Sequence, residues 1–324
     1  MEQKPIGGYF EWEFPSQRKL SIHSNAVLLN SGRHALEYIL RGLGDISKLY
    51  IPYFTCDVII QPLKRLNISY IFYRINEDLE IESDIQLSDG EYILYTNYYG
   101  IKDAYVKHIA EKYGNKIIID NAQALFCSEY AVHQFYSPRK FMGMPDGGMV
   151  VSNVDGFEDS LPIDKSYDRC SHLLKRHELI PSEGYLDFKE NSHKIVDSPL
   201  SRMSNISRMI LHSVDMEFIK QRRLANFNQL HWALKRHNKL SQLLGPDNLV
   251  YSVPLVYPFW TENDDLKQHL IQNNVFVATY WPNVFEWTKE TDWEYQIAKH
   301  VVCIPIDQRY GEKDINRIIN LICK

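Results

Sequence analysis

The sequence predicts an α/β fold, in which a mixed, mostly parallel sheet lies between helices and a smaller C-terminal α/β unit follows. Short apolar strands alternate with helical stretches from about Ala26 to Asn153, the pattern of linked βαβ units. These strands read as unbroken apolar runs, as expected where helices cover both faces of a parallel sheet. At 324 residues the chain is long enough for one large domain and a smaller one.

Ala26-Val27-Leu28-Leu29 is a short strand, Ser31-Gly32-Arg33 a turn, and His34 to Leu43 carries helical spacing of apolar residues. Leu49 to Pro52 is the next strand, Asp57 to Leu66 a helix, and Ile68 to Tyr73 a strand. Tyr92 to Thr96 and Lys116 to Ile119 are two more strands, with a helix from Ala104 to Tyr113 between them. Gly148 to Ser152 closes the series. Asp155 to Ser198 is polar and irregular, and reads as a surface loop, a lid or a subunit contact. A long amphipathic helix is expected from about Asn205 to His237. The remainder mixes strands (Val250 to Pro258, Val275 to Tyr280, Val301 to Ile306) with helices (Asp264 to Asn273, Glu312 to Ile322). The expected division is an N-terminal segment 1–25 packing with the small domain, a large domain 26–204 and a small C-terminal domain 205–324.

Net charge is −5, which gives no global attraction to nucleic acid or an anionic membrane. The basic runs Lys175-Arg176-His177 and Arg222-Arg223 read as solvated helix faces. Five scattered cysteines without a CxxC pair suit reduced thiols in a cytoplasmic protein. The first residues lack an apolar core of the signal-peptide kind, and no run approaches a membrane span. Twelve histidines show no HExxH or paired ligand spacing, so no metal is expected. His34, His133 and His193 read as structural or surface groups.

Three segments carry chemistry. In Asn30-Ser31-Gly32-Arg33-His34-Ala35 a strand ends, a glycine permits a tight turn and a helix starts. That is an anion cradle of free N–H groups with Arg33 adding charge, or an ordinary βα turn. Ile117-Ile118-Ile119-Asp120-Asn121-Ala122-Gln123 delivers a carboxylate to the carboxyl edge of a sheet, where open α/β folds bind ligands; taken alone, it is equally a helix cap. Lys140 follows twenty residues later, with Arg139 before it and Asp146-Gly147-Gly148 after it. An acid for a pyridinium nitrogen and a lysine for a Schiff base suit a pyridoxal phosphate (PLP) enzyme.

In order, these segments resemble the DegT/StrS group of sugar aminotransferases, fold-type I PLP-dependent enzymes. Ser31-Gly32-Arg33-His34-Ala35 is similar to that family's Ser-Gly-Thr-Ala-Ala, and Ile51-Pro52-Tyr53-Phe54-Thr55 to its Val-Pro-x-x-Thr. Asn97-Tyr98-Tyr99-Gly100 stands where His-Leu-Tyr-Gly occurs, and Asp120-Asn121-Ala122-Gln123 resembles Asp-Ala-Ala-Gln. Lys140 with Asp146-Gly147-Gly148 matches the lysine-to-Glu-Gly-Gly spacing. Arg202-Met203-Ser204 looks like Tyr-Arg-Met-Ser/Thr, and Cys303-Ile304-Pro305-Ile306 like the family's C-terminal ending.

The resemblance implies the fold-type I PLP-dependent transferase fold and a homodimer with a shared active site. It implies ping-pong transamination through a Lys140 Schiff base, from an amino-acid donor such as glutamate to a keto group of a nucleotide-linked sugar, for polysaccharide or glycosylated products. Catalytic roles fall on Lys140 and Asp120. Cofactor contacts fall on Ser31, Gly32, Arg33, Cys56, Asp120, Gln123, Ser137 and Lys140.

The chain departs from the pattern at four places. Phe135 stands five residues before the lysine, where the family has a phosphate-binding serine; Ser137 or Arg139 substitutes. Arg33 replaces the threonine of the phosphate loop. Cys56 replaces the aromatic that stacks on the ring, a role left to Tyr53, Phe54 or Tyr98. Leu200 replaces an asparagine that reaches the partner's phosphate. Alternatives are a dehydratase or lyase, against which the retained lysine argues, an amino-acid-directed PLP enzyme, and a non-enzymatic scaffold of the same fold.

Overall fold

The computed structural model describes residues 6–15, 20–245 and 252–323. Seven strands build the main sheet: β1 (Val27–Leu29), β2 (Lys48–Pro52), β3 (Ser69–Tyr73), β4 (Glu91–Thr96), β5 (Ile117–Asn121), β6 (His133–Tyr136) and β7 (Gly148–Val151). Their spatial order is β3-β2-β4-β5-β6-β7-β1. β7 runs antiparallel to β6 and β1, and the other pairs are parallel.

The period-two geometry of strands sorts the apolar runs onto two faces. Leu49, Ile51, Leu94, Ile118, Phe135 and Val150 point to one side, where α1 (Gly32–Leu43) and α2 (Ile60–Arg65) bury Leu36, Ile39, Ile60 and Leu63 against them. Ile93, Tyr95, Ile117, Ile119, Tyr136 and Met149 point to the other side, which α3 (Asp103–Tyr113) covers with Val106 and Ile109. The C-terminal elements join this second core. β8 (Val256–Trp260) and β9 (Val301–Pro305) form an antiparallel pair, and the helix Glu312–Ile322 adds Ile315 and Ile318. Leu20 and Ile22 of the N-terminal segment pack on the same cluster. His23 anchors that segment, with Nδ1 2.7 Å from Glu129 Oε1 and Nε2 2.8 Å from the Leu125 carbonyl.

Several expected elements differ. The irregular stretch 155–198 contains α4 (Ser171–Glu178) and α5 (Tyr185–Asp197). α4 buries no residue fully and α5 only Asn191 and Ile195, so neither leaves much apolar periodicity to read. The single helix expected over 205–237 is two, α6 (Asn205–Ser213) and α7 (Met216–Leu234). Asp215 breaks the run because its carboxylate accepts from Phe218 N at 3.0 Å and starts a new helix. Val275 to Tyr280 is not a strand; it meets β9 only through an isolated bridge between Ala278 and Cys303. Of the strand expected over Val250 to Pro258, residues 250 and 251 lie outside the described residues, and pairing starts at Val256. The helix Trp293–His300 was not expected. No helix among the described residues is long and apolar enough to cross a membrane.

The turn Asp146-Gly147-Gly148 ties the sheet to α6. Asp146 is fully buried. Its carboxylate accepts from Ser204 N at 2.8 Å, from Ser204 Oγ at 2.5 Å and from Ser207 Oγ. Ser204 is itself the N-cap of α6, so the acid sits at the positive end of that helix. Asp146→Ala should leave the three donors unpaired in the core and lower stability by about 3 kcal/mol. The midpoint of urea unfolding measures this, and a change worth less than about 1 kcal/mol would refute the structural role.

Candidate active site

Parallel strands end in loops along one edge of the sheet, and the candidate residues gather there. Asp120 is the fourth residue of β5, in register with Thr96 of β4 and Phe135 of β6. Its carboxylate is buried and accepts from Ala122 N at 2.8 Å. Burial pushes its pKa up, and the positive charge of Lys140 draws it back down. Asn121 holds the strand end, donating to Gln134 Oε1 at 2.9 Å and accepting from Asn97 Nδ2 at 3.1 Å. Gln123 is buried and accepts from Tyr99 N at 2.6 Å, which leaves its Nε2 without a partner.

Ser31 caps α1, accepting from His34 N at 3.2 Å. The Ser31-Gly32 backbone lies against the Gly147-Gly148 turn. Gly147 N donates to Asn30 O at 2.8 Å, and a Cβ on Gly148 would stand 2.1 Å from Ser31 O and 2.8 Å from Gly32 N. Only glycine permits that approach of two backbones. On its other side Gly32 abuts Ser137, whose Cβ would lie 3.4 Å from a Cβ placed on Gly32. Arg33 donates to Gln61 Oε1 at 2.7 Å, and burial lowers its pKa.

Ser137 starts the short turn that carries Lys140, its carbonyl accepting from Lys140 N at 3.1 Å. Lys140 is solvent-accessible and lines a cavity of about 840 Å³ between this turn, α4, α5 and residues 307–310. Arg139 shares the cavity with it, whereas Asp120, Gln123, Ser31, Gly32, Arg33, Cys56 and Ser137 lie outside its lining. The charge of Lys140 nevertheless reaches Asp120 and Cys56, and that of Arg33 reaches Arg139. Burial raises the Cys56 thiol, and Lys140 opposes the shift.

Of the residues expected to offer a stacking ring, Tyr53 is stacked on Phe72 at 4.6 Å with Arg74 over its face. Phe54 is buried between Tyr98 and Trp281. Tyr98 is buried with its hydroxyl unpartnered; burial, then the charges of Glu294 and Asp120, push its pKa well up. Phe135 is packed in the core under α1, so the position five before the lysine presents no polar group to the site.

Four polar residues around the cavity escaped the sequence reading of the site or were left without a settled role. Arg139, His172, Arg223 and Gln308 each carry a buried side-chain atom with no partner. The run Arg222-Arg223, expected on a solvated face, is corrected here: Arg223 is 1% exposed. It lies on the buried stripe of α7 with Ile219, Asn226 and Phe227, and because that stripe carries polar residues the helix has no clear apolar periodicity that would have marked it.

No protein-family model matches the sequence, and no curated protein matches it. Solved structures do. The chain is similar to PseC of Helicobacter pylori, an aminotransferase involved in the biosynthesis of pseudoaminic acid, at 14% identity and TM-score 0.62, covering 92% of this chain and 85% of that one. It is similar to a DegT/DnrJ/EryC1/StrS aminotransferase of Brucella abortus at 15% identity and TM-score 0.60, covering 94% and 86%. This chain has the fold of these aminotransferases. The chain is also similar to NtdA of Bacillus subtilis, solved with bound cofactor PMP, at 15% identity and TM-score 0.62, covering 92% of this chain and 72% of that one.

Two measurements check the geometry. His34 is fully buried on α1, 2.9 Å from Ser31 Oγ, and burial lowers its pKa to about 4 from the ordinary 6.5. Between those values the unfolded chain binds a proton that the folded chain refuses, so stability falls as pH drops from about 6.5 to about 4, by roughly 3 kcal/mol. His34→Asn should flatten that acid limb of the melting temperature against pH; an unchanged limb would exclude His34 as its cause. Gly148→Ala should drive apart the Ser31-Gly32 and Gly147-Gly148 backbones and cost more than about 2 kcal/mol. A variant as stable as the parent would show that the approach is not tight.

Proposed function

We propose that the chain is a PLP-dependent aminotransferase of the DegT/StrS type. The observation that carries this reading is a buried carboxylate, Asp120, under the field of Lys140 at the carboxyl edge of a parallel sheet. The aminotransferase fold, and a neighbour solved with PMP, support it. The residues present suit the cofactor. Gln123 Nε2 is a buried donor with no partner. The Ser31-Gly32-Arg33 turn offers helix N–H groups and a cation, and Ser137 abuts it. Arg33 stands in for the family's threonine, and Cys56 holds the sequence position where an aromatic is usual. The division into a cofactor-binding unit 26–204 and a C-terminal unit 205–324 belongs to the same proposal.

When bound, PLP supplies an electron sink conjugated to the reacting carbon. Lys140 would be the residue that holds it, and its amine would move the proton at the reacting carbon as base and then acid. Asp120 would keep the ring nitrogen protonated, and that positive partner would offset the cost of its own burial. Gln123 would face the ring, and Ser31, Gly32, Arg33 and Ser137 would hold the phosphate. The donor is an amino acid, glutamate by family habit, and the acceptor a keto group on a nucleotide-linked sugar. The active form is a cytoplasmic homodimer whose partner completes the site.

The test is the visible spectrum of the protein with PLP, before and after glutamate. We expect a cofactor band that glutamate bleaches and that Lys140→Ala lacks. Asp120→Asn should retain the fold and lose on the order of 10²–10⁴-fold in turnover. Absence of a band at saturating PLP would overturn the proposal.

A further inference from the structure

Large apolar side chains left together in water mark a surface that something covers. The N-terminal arm reads Ile6-Gly7-Gly8-Tyr9-Phe10-Glu11-Trp12-Glu13-Phe14. Tyr9 is 99% exposed and Phe10 93%, and Ile6 and Trp12 are exposed with them. Trp12 and Phe14 stack on each other, with ring centroids 5.0 Å apart. A second bare apolar surface belongs to the cavity that Lys140 lines. Ile180, Tyr185 and Phe188 line that cavity and are themselves exposed.

The two surfaces match in charge. The cavity lining carries Arg139, Lys140, Arg176, Arg223 and Arg309 against one acid, Asp307, which Arg309 already engages at 2.7 and 2.9 Å. The arm is the reverse: its rings alternate with Glu11 and Glu13, and residues 6–14 hold no base. They match in position as well. Leu20 and Ile22, at the root of the arm, pack on the core cluster that contains Phe141 and Met142, and both of these line the cavity. His23 lies 2.8 Å from Leu125 O, and the next residue, Phe126, meets the Phe141 ring edge to face at 5.7 Å. Ten residues separate Phe10 from Leu20, and extended chain covers about 33 Å over ten residues. The cavity of the same chain is within that reach.

We propose that residues 6–14 are a strap that closes over this cavity in the same chain, laying Tyr9, Phe10 and Trp12 against Ile180, Tyr185 and Phe188. Closure removes apolar surface from water on both sides and brings Glu11 and Glu13 to a basic rim. It excludes water from Lys140, which is otherwise open to solvent. It also offers a flat ligand an aromatic face. The rings of the sheet edge do not: Tyr53 is committed to Phe72, and Phe54 and Tyr98 are buried against each other. The cover given to a cofactor rests on the aminotransferase reading; the strap itself does not.

The experiment places one thiol on the arm and one at the cavity, Phe10→Cys with Ile180→Cys, in a chain whose exposed thiol is removed by Cys323→Ser. Positions 10 and 180 are both exposed, so neither substitution disturbs the core. The protein is loaded with PLP and treated with a short bismaleimide, and the same variant capped with N-ethylmaleimide is the unlinked control. Peptide mapping should find positions 10 and 180 joined within one chain, which still runs as a monomer in a denaturing gel. The linked protein should then lose PLP on dilution about tenfold more slowly than the capped one. A link that joins two chains would assign the arm to a second copy and overturn the proposal, and the absence of any link would overturn it too. Equal rates of PLP loss from linked and capped protein would overturn closure over Lys140. If the parent takes up no PLP, the aminotransferase reading fails on its own, and the link formed in the cofactor-free protein decides the strap.

Discussion

The contact on which the rest of the site depends is one between two backbones. Gly148 approaches the Ser31-Gly32 peptide so closely that a single methyl group would overlap it. That approach joins the β1–α1 turn to the strand following the lysine turn, although more than a hundred residues separate them. Asp146 makes the junction rigid, because its carboxylate closes the N-terminus of α6. Three stretches, around residues 31, 146 and 204, are thereby fixed in one place, and the lysine turn hangs between them. A side chain at position 148 would have to push the Ser31-Gly32 turn aside.

Electrostatically the site is lopsided. Burial lowers the pKa of Arg33 and brings Arg139 and Arg223 to about 10, and it raises that of Asp120. Each shift records a charge held away from water with too little opposite charge beside it. A protein that needed these residues only for stability would gain from apolar replacements. Here Asp120 accepts from Ala122 N under the field of Lys140, while Arg139 and Arg223 each keep a buried Nε–H without a partner.

The departures from the DegT/StrS pattern form a coherent set once placed. Phe135 has become part of the core under α1, and so extends the packing of that helix rather than the polar surface above it. Ser137 abuts Gly32, and Arg33, the next residue along the chain, donates to Gln61 Oε1 at 2.7 Å. Tyr53 is committed to Phe72 and Arg74, and Phe54 to Trp281 and Tyr98. Cys56 is left as the residue of that loop under the field of both Lys140 and Asp120.

What the sequence determined by itself was the α/β class, most strand positions and the chain order of the Asp, Lys and Gly-Gly segments. Apolar runs and glycine turns are local signals that buried strands and tight connections require. It misjudged 155–198 and 205–237, where short helices bury little and where one capping aspartate, Asp215, divides a continuous helical pattern. Only the tertiary structure decided which charges are dry. Arg222 and Arg223 are adjacent and alike in sequence, yet Arg223 faces Phe141 and Leu255 O from inside the core. Burial is set by what packs across from a residue, and those partners come from the residue before β8 and from the lysine turn, far away along the chain.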